Sequence, residues 1–388
     1  MYIQPSLKLL IRVYGTALKN TKLGIFLGAG TSIDSNIPNF KNFAFNAFHE
    51  AFTSDEKFGQ HISSRLKDYI DQQAKAAEPE LNPEELFSII KKYFRTDLNH
   101  RSIEWKKAWL HFCARELYRH NEALEKGNWR IRKEAYGENI TLRSIISFCM
   151  ALSDDFADTA ISGFLDSSKF RHNTAWNPRL GGVLTTNYDD LFEATINHKF
   201  SRTKGTEYGA RSVFEGRRHK NQIHLLEVQH IHGFLTHDVE YYCKTDKKEL
   251  IDIIATETDF FKTFYESMSF SNYAGLRFFD QFHTLFIGCK MDDKNIRRFL
   301  YHLSETKHFK TAKFAIMRCN CRHRHRGKKI DTFTRDCLDD GNIFTEELLK
   351  TYGVRVIWIC NYNQVPTVLQ KVYESTGGNW KRVYEEMW

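Results

Sequence analysis

Leu23-Gly24-Ile25-Phe26-Leu27-Gly28-Ala29-Gly30-Thr31-Ser32 is the stretch that decides the fold. A short apolar run, ended by two glycines and two hydroxyls, predicts a buried strand entering a tight turn. The text then changes character. From about residue 41 to residue 170 it is charged and nearly free of β-branched runs, with apolar residues three and four apart. Leu86, Ile89, Ile90 and Tyr93 show the spacing, as do Trp105, Ala108, Trp109 and Phe112, and it predicts helices. Asn82 before Pro83-Glu84-Glu85 supplies a helix start, a cap followed by proline and acids in the first turn.

Strand text returns beyond residue 170. The pattern predicts strands over 182–186, 223–231, 284–288, 313–317 and 353–359. Helices are predicted near 188–196, 259–282, 295–303, 346–352 and 365–373, the last of these closing the chain. Strands separated by helical segments indicate βαβ units. The expected fold class is therefore α/β: a Rossmann-like, mostly parallel sheet with helices on both faces, plus a helical insertion or subdomain. Residues 1–40 and 171–388 would form the core, and 41–170 the insertion.

Composition narrows the function classes. Of 388 residues, 41% are hydrophobic and 14% aromatic, with 31 Phe, enough for a large core and unlike a disordered chain. No run approaches the roughly 18 consecutive apolar residues of a membrane helix. Charges interrupt the N-terminal apolar residues, which argues against a signal peptide. The 8 Cys are dispersed without a Cys-x-x-Cys pair, so reduced thiols in a cytoplasmic protein are expected. The net charge of +8 permits an anionic partner without requiring one.

Ligands of open parallel sheets bind beyond the carboxyl ends of the strands. Five predicted strand exits carry small or hydrogen-bonding residues: Gly28-Ala29-Gly30-Thr31-Ser32, Thr185-Thr186-Asn187-Tyr188-Asp189, His230-Ile231-His232-Gly233, Gly288-Cys289 with Asp292 and Asp293 behind it, and Cys360-Asn361. Each has a bland alternative. The glycines could form a plain turn or, with bare amides and the hydroxyls of Thr31 and Ser32, cradle a pyrophosphate at a helix N-terminus. Asn187 and Asp189 could be an Asx turn. His232 could be structural. The third glycine of a dehydrogenase fingerprint is Ile33, and helical text replaces the strand that would carry its acidic ribose ligand, which argues against a redox dinucleotide enzyme. Cys319, Cys321, His323 and His325 alternate within one segment, unlike structural zinc ligands, so no metal is expected there. Residues 318–329 form a basic segment that fits a solvated loop or a phosphate or protein contact.

Taken in order, Gly28-Ala29-Gly30-Thr31-Ser32, Ile37-Pro38-Asn39-Phe40, Thr185-Thr186-Asn187-Tyr188-Asp189 and His232-Gly233 resemble the signature motifs of the sirtuin superfamily, a family of NAD-consuming proteins. The helical region lies outside the resemblance. The paired Cys-x-x-Cys zinc module of protein-deacylating sirtuins has no counterpart after His232-Gly233, so no structural zinc is implied. Phe286-Ile287-Gly288-Cys289-Lys290-Met291-Asp292-Asp293-Lys294-Asn295-Ile296 resembles the corresponding segment of bacterial sirtuin-like effectors of anti-phage systems. Those hydrolyse NAD to nicotinamide and ADP-ribose in abortive infection.

The resemblance implies roles. Asn187 would orient the ribose and water, His232 would be the general base, and Asp189 would accept from the nicotinamide amide. Gly28, Ala29, Gly30, Thr31 and Ser32 would hold the pyrophosphate, with Thr186 beside them. Phe40, on a mobile loop, would cover the nicotinamide, and Gly288, Asp292 and Asn361 would meet the adenosine. It further implies a homo-oligomer and a HerA-type ATPase partner, with an Argonaute-like protein as the other choice. Nucleic acid would be reached through that complex. An NAD-dependent deacylase and a nucleic-acid-binding or nuclease subunit remain alternatives.

Overall fold

Seven strands among the described residues pair in parallel, in the order β3-β4-β2-β1-β5-β6-β7: β1 Leu23–Leu27, β2 Leu180–Thr185, β3 Gly209–Val213, β4 Leu225–His230, β5 His283–Ile287, β6 Lys313–Arg318 and β7 Val354–Ile359. The computed structural model describes residues 4–16, 22–53, 68–69, 72–73, 81–97, 103–119, 139–152, 180–200, 209–213, 225–244, 250, 252–266, 269–305, 311–319, 338–375 and 378–387. β1 lies at the centre, in register with β2 on one side (Leu27 beside Thr185) and β5 on the other (Leu27 beside Ile287). The chain builds one half of the sheet and then returns past β1 to build the other. The strand ends around β1 thus form the crevice of a switch point.

Successive side chains of a strand point to opposite faces, and both faces here are apolar. Ile25, Leu27, Val183, Val228, Leu285, Ile287, Phe314 and Ile357 belong to one buried cluster. Helices α1 (Pro5–Thr16), α2 (Phe40–Thr53), α3 (Pro83–Asp97), α4 (Glu104–Tyr118), α5 (Ile140–Leu152) and α6 (Leu191–Phe200) contribute Leu7, Phe43, Phe87, Trp109, Phe148 and Leu191 to it. The helices of the 41–170 region therefore share their core with the sheet. The other face carries Phe26, Leu184, Phe286, Ala315, Val356 and Trp358. It is covered by α9 (Phe270–Gln281), α10 (Lys294–Glu305) and α11 (Asp340–Thr351), which contribute Phe279, Phe299 and Leu349.

The remaining helices are α7 (Tyr241–Lys244), α8 (Glu257–Tyr265), α12 (Val365–Glu374) and α13 (Trp380–Met387). Four features differ from the sequence pattern. Edge strand β3 has only five residues, with Arg211 and Ser212 among them, too few for a clear alternation. The segment expected as one helix over 259–282 is two, because Ser269 takes a bond from the Asn272 amide and starts a new helix. α1 was not anticipated, and α13 follows the helix expected to be last, its Trp380 packing on Tyr373 at 6.1 Å. Of the cysteines, 113, 149, 243, 289 and 360 are free thiols. Cys319 is disulfide-bonded, a departure from the expected fully reduced set. No described helix is long and apolar enough to cross a membrane.

Phe26 sits on Phe286 (5.0 Å between ring centroids) and Phe279 (5.9 Å) at the middle of the sheet. Phe26→Ala should lower unfolding free energy by about 3–5 kcal/mol, read from the urea midpoint at unchanged slope.

Candidate functional site

The turn after β1 is locked to the exit of β5. Gly28 donates its amide to the Ile287 carbonyl, and Gly30 donates to the Gly288 carbonyl, both at 2.9 Å. Gly288 has φ +72, the left-handed region, and a Cβ there would meet the Thr31 amide nitrogen at 2.7 Å. A Cβ on Gly30 would fall 2.8 Å from the Gly288 oxygen. The glycines are needed because two backbones touch. The Thr31 amide donates to Gly28 and the Ser32 amide to Ala29, closing 3-10 turns over Ala29–Thr31 and Ile33–Ser35. The expected cradle of bare amides at an α-helix N-terminus is therefore corrected. The amides of Gly28, Gly30, Thr31 and Ser32 are bonded internally, and α2 begins only at Phe40. The Ala29 N–H has no described partner within the protein.

The turn after β2 joins this loop directly. Thr185 donates its hydroxyl to the Leu27 carbonyl at 2.9 Å and accepts the Asn187 amide. That brings the Asn187 side-chain nitrogen to the Gly28 carbonyl (3.2 Å) and near the Thr31 and Ser32 hydroxyls (3.4 Å each). The other end of the amide is left over: Asn187 Oδ1 is buried without a hydrogen-bond partner. Asp189 accepts from Ser32 Oγ at 3.0 Å and from the Leu191 amide at 3.3 Å through the same oxygen, Oδ1. Burial raises its carboxyl to about 6, against the stabilising Ser32 bond and with Glu193 adding repulsion.

His232 follows β4 and is 5% exposed. Its Nε2 is likewise buried and unpartnered, 3.8 Å from Asp293 Oδ2. Tyr188 (6.4 Å) and the edge-on Phe260 (5.3 Å) flank the ring. Burial lowers its pKa, with Asp293 opposing, so the imidazole is neutral at pH 7. Gly233 has φ +77, and a Cβ there would lie 2.5 Å from the Asp252 carbonyl oxygen. The segment that carries Ile254, whose amide bonds the His232 carbonyl at 2.8 Å, can thus close over the histidine.

Gly28, Asn187 and His232 thus stand at neighbouring strand exits. Other expected residues sit elsewhere. Phe40 opens α2 instead of riding a loop, and it packs on Phe87 (5.6 Å) and Tyr188 (5.8 Å). Asp292 is exposed, whereas Asp293 caps α10 through the amides of Asn295 and Ile296 and faces His232. Asn361 is exposed, its side chain turned back to the Asn363 amide. Thr186 is half-buried between Thr185 and Asn187. Among the described residues no group of three or more His, Cys, Asp and Glu side chains could hold a metal. Residues 320–329 of the basic segment lie outside them.

Sequence reasoning missed the groups behind the site. His230, fully buried, places Nε2 2.6 Å from Glu193 Oε1 and Nδ1 2.9 Å from the Asn187 carbonyl. Burial works against its charge, but Glu193 outweighs it and raises the pKa, and each ring nitrogen faces an oxygen acceptor. Asp190 accepts from the His237 backbone and ring, and its pKa is lowered despite burial because His237 and Tyr118 stabilise the charge. The only sequence signal for these pairs was a second histidine and a second aspartate beside the ones chosen.

An all-parallel sheet with two buried, unpartnered polar atoms, Asn187 Oδ1 and His232 Nε2, at neighbouring strand exits beside its switch point fits the arrangement of a ligand-binding α/β protein. Residues 181–357 match the family model of a SIR2-like domain, which supports a sirtuin-like reading of this part of the chain; the SIR2 superfamily uses NAD+. No curated protein matches the chain. The matched span begins at β2, so the glycine loop of residues 28–32 joins it through the contacts above.

Asp189 gives a pH test. Its folded pKa of about 6 lies above the usual carboxylate value, so its favourable contribution is complete at low pH and is lost as pH rises through about 6. Asp189→Asn keeps the Oδ1 acceptor and removes the charge. Its melting temperature relative to wild type should climb between pH 4 and pH 7, corresponding to about 1–3 kcal/mol. A difference independent of pH would show that Asp189 does not titrate there.

Proposed function

We propose that the protein hydrolyses NAD+ to nicotinamide and ADP-ribose. The observation that carries this reading is the pair of orphaned atoms, Asn187 Oδ1 and His232 Nε2, buried at adjacent strand exits. A buried polar atom without a partner costs about 1–3 kcal/mol, a cost that a bound polar ligand removes. Cleavage of the nicotinamide–ribose bond develops positive charge at the anomeric carbon, as in glycoside hydrolysis.

His232, neutral at pH 7, accepts a proton at Nε2 from water or a ribose hydroxyl, and the carboxylate of Asp293 favours the imidazolium that results. Asn187 presents Oδ1 to a hydroxyl or water while its nitrogen stays anchored on Gly28. Asp189 holds Ser32 and with it the glycine loop. Ala29 offers the loop amide left for a phosphate oxygen. Tyr188 and Phe260 shield the ring of His232 from water.

The role as effector of an abortive-infection system, the HerA-type ATPase partner and homo-oligomerisation rest on the resemblance of residues 286–296 and are proposed with it. Nicotinamide release by the purified chain, with and without the product of the neighbouring open reading frame, tests them.

Asn187→Ala and His232→Ala should each lower nicotinamide release from NAD+ by about 100-fold or more while melting within a few degrees of wild type. Chromatography of the products reads the effect, and full turnover by both variants refutes the site. Because burial lowers the His232 pKa, the acid limb of kcat/KM should fall below the ordinary histidine value of about 6.5. The rate should hold from pH 7 to 8.

A further inference from the structure

Three helices of the 41–170 region each send one buried side chain to the segments around the site: two to the motif loops and one to residues 252–259 beside His232. Asn139 caps α5 by accepting the Leu142 amide at 2.8 Å. Its Nδ2 donates to the Thr31 carbonyl and to Ser35 Oγ, both at 3.0 Å. Every bonding position of that amide is thus divided between the helix and the glycine loop. Tyr118, in the last turn of α4, puts its hydroxyl 2.8 Å from Asp190 Oδ1 and 2.8 Å from the Leu235 carbonyl, and accepts the Asp190 amide at 2.9 Å. It therefore joins the loop after β2 to the loop after β4, immediately behind Asn187 and His232. Lys91, in the middle of α3, has Nζ 2.9 Å from Asp259 and 3.2 Å from Asp252. Those two carboxylates bracket the segment whose Ile254 amide bonds the His232 carbonyl and whose Phe260 stands against the His232 ring.

We propose that Lys91, Tyr118 and Asn139 are positioning residues through which α3, α4 and α5 hold the Asn187–His232 site in register, so that the helical region is a working part of the site. The proposal rests on the NAD-hydrolase reading for its kinetic consequence, but its structural content stands apart from it. None of the three carries an orphaned atom aimed at ligand, and none is placed among the groups that touch NAD+. Their donors are spent on the loops. Each tether has an independent anchor. Asp259 also completes the capping box of α8 with Thr256, so Lys91 fixes the start of that helix as well as its acid. Without Lys91, two carboxylates would face one another at the wall of the histidine. Without the Tyr118 hydroxyl, the Asp190 amide and the Leu235 carbonyl would lose the atom that spaces them.

Three substitutions remove a tether while sparing the packing. Tyr118→Phe deletes only the hydroxyl. Asn139→Asp keeps the acceptor that caps α5 and loses the donors to Thr31 and Ser35. Lys91→Met keeps the stem, and Lys91→Arg restores the charge. Hydrogen–deuterium exchange of the full chain reads position without turnover. Exchange should rise over 28–37 in Asn139→Asp, over 186–191 and 233–237 in Tyr118→Phe, and over 252–260 in Lys91→Met, with Lys91→Arg close to wild type. In nicotinamide release, kcat should fall about 10–100-fold in the three variants while KM changes less than threefold, the signature of misplaced reacting groups. Unchanged exchange in the tethered loops, or equal loosening of all three loops in every variant, overturns the proposal. A wild-type chain that releases no nicotinamide yet shows the loop-specific exchange pattern overturns the hydrolase reading and leaves the tethers standing.

Discussion

The whole site depends on one backbone contact, the meeting of the turn after β1 with the turn after β5. Gly30 donates to the Gly288 carbonyl, Gly28 to that of Ile287, and Gly288 takes a left-handed conformation with no room for a Cβ against Thr31. The two turns therefore approach as closely as bare main chains can. That contact brings the Gly28 carbonyl to where Asn187 reaches it from β2. Any side chain at these glycines would push the loop out of the crevice between the two halves of the sheet. The glycines that suggest an anion cradle are used to seat the loop.

Charge is disposed around that contact in a consistent way. Carboxylates behind the site are matched: Asp190 by His237 and Tyr118, Glu193 by His230, and Asp259 by Lys91. A buried ion left without a partner costs several kcal/mol, so each pair fixes its loop in one place. The two groups at the front are treated in the opposite manner. Asn187 and His232 each keep one buried polar atom at the strand exits without a hydrogen-bond partner. Natural proteins keep few such atoms, and those kept ask for an explanation in function. Burial favours the neutral form of His232, whereas for His230, two residues earlier on the same strand end, Glu193 raises the pKa against the effect of burial. His230 contacts the Asn187 main chain, and His232 leaves Nε2 unpartnered.

Much of this was legible in the text. The apolar runs at Leu23–Leu27 and Val354–Ile359 announced buried strands because a parallel sheet covered on both faces must be apolar on both. Gly28, Asn187 and His232 were found because ligands of such sheets gather at strand exits, so local motifs report a non-local site. What stayed hidden depends on which way a side chain turns. Asp292 and Asp293 are adjacent in sequence, and only the α10 cap selects the one that faces His232. Phe40 had the composition of a lid and became the first residue of a helix, stacked on Phe87, because α3 offers it an aromatic partner. Edge strand β3 carries too few apolar residues to be read.

The helical region shows the limit most clearly. Its spacing gave helices, but Lys91, Tyr118 and Asn139 look in the text like an ordinary lysine, an aromatic and a helix cap. Their partners lie 168, 72 and 108 residues away for Asp259, Asp190 and Thr31, respectively. No local pattern can encode such pairings. The family match begins at residue 181, beyond both the glycine loop and these helices. The matched span runs from β2 to β7 and leaves out the central strand β1 as well as the helices that meet the loops. What the helical region supplies to this site is a side-chain contact to each tethered segment: Lys91 to Asp259, Tyr118 to Asp190 and Asn139 to Thr31.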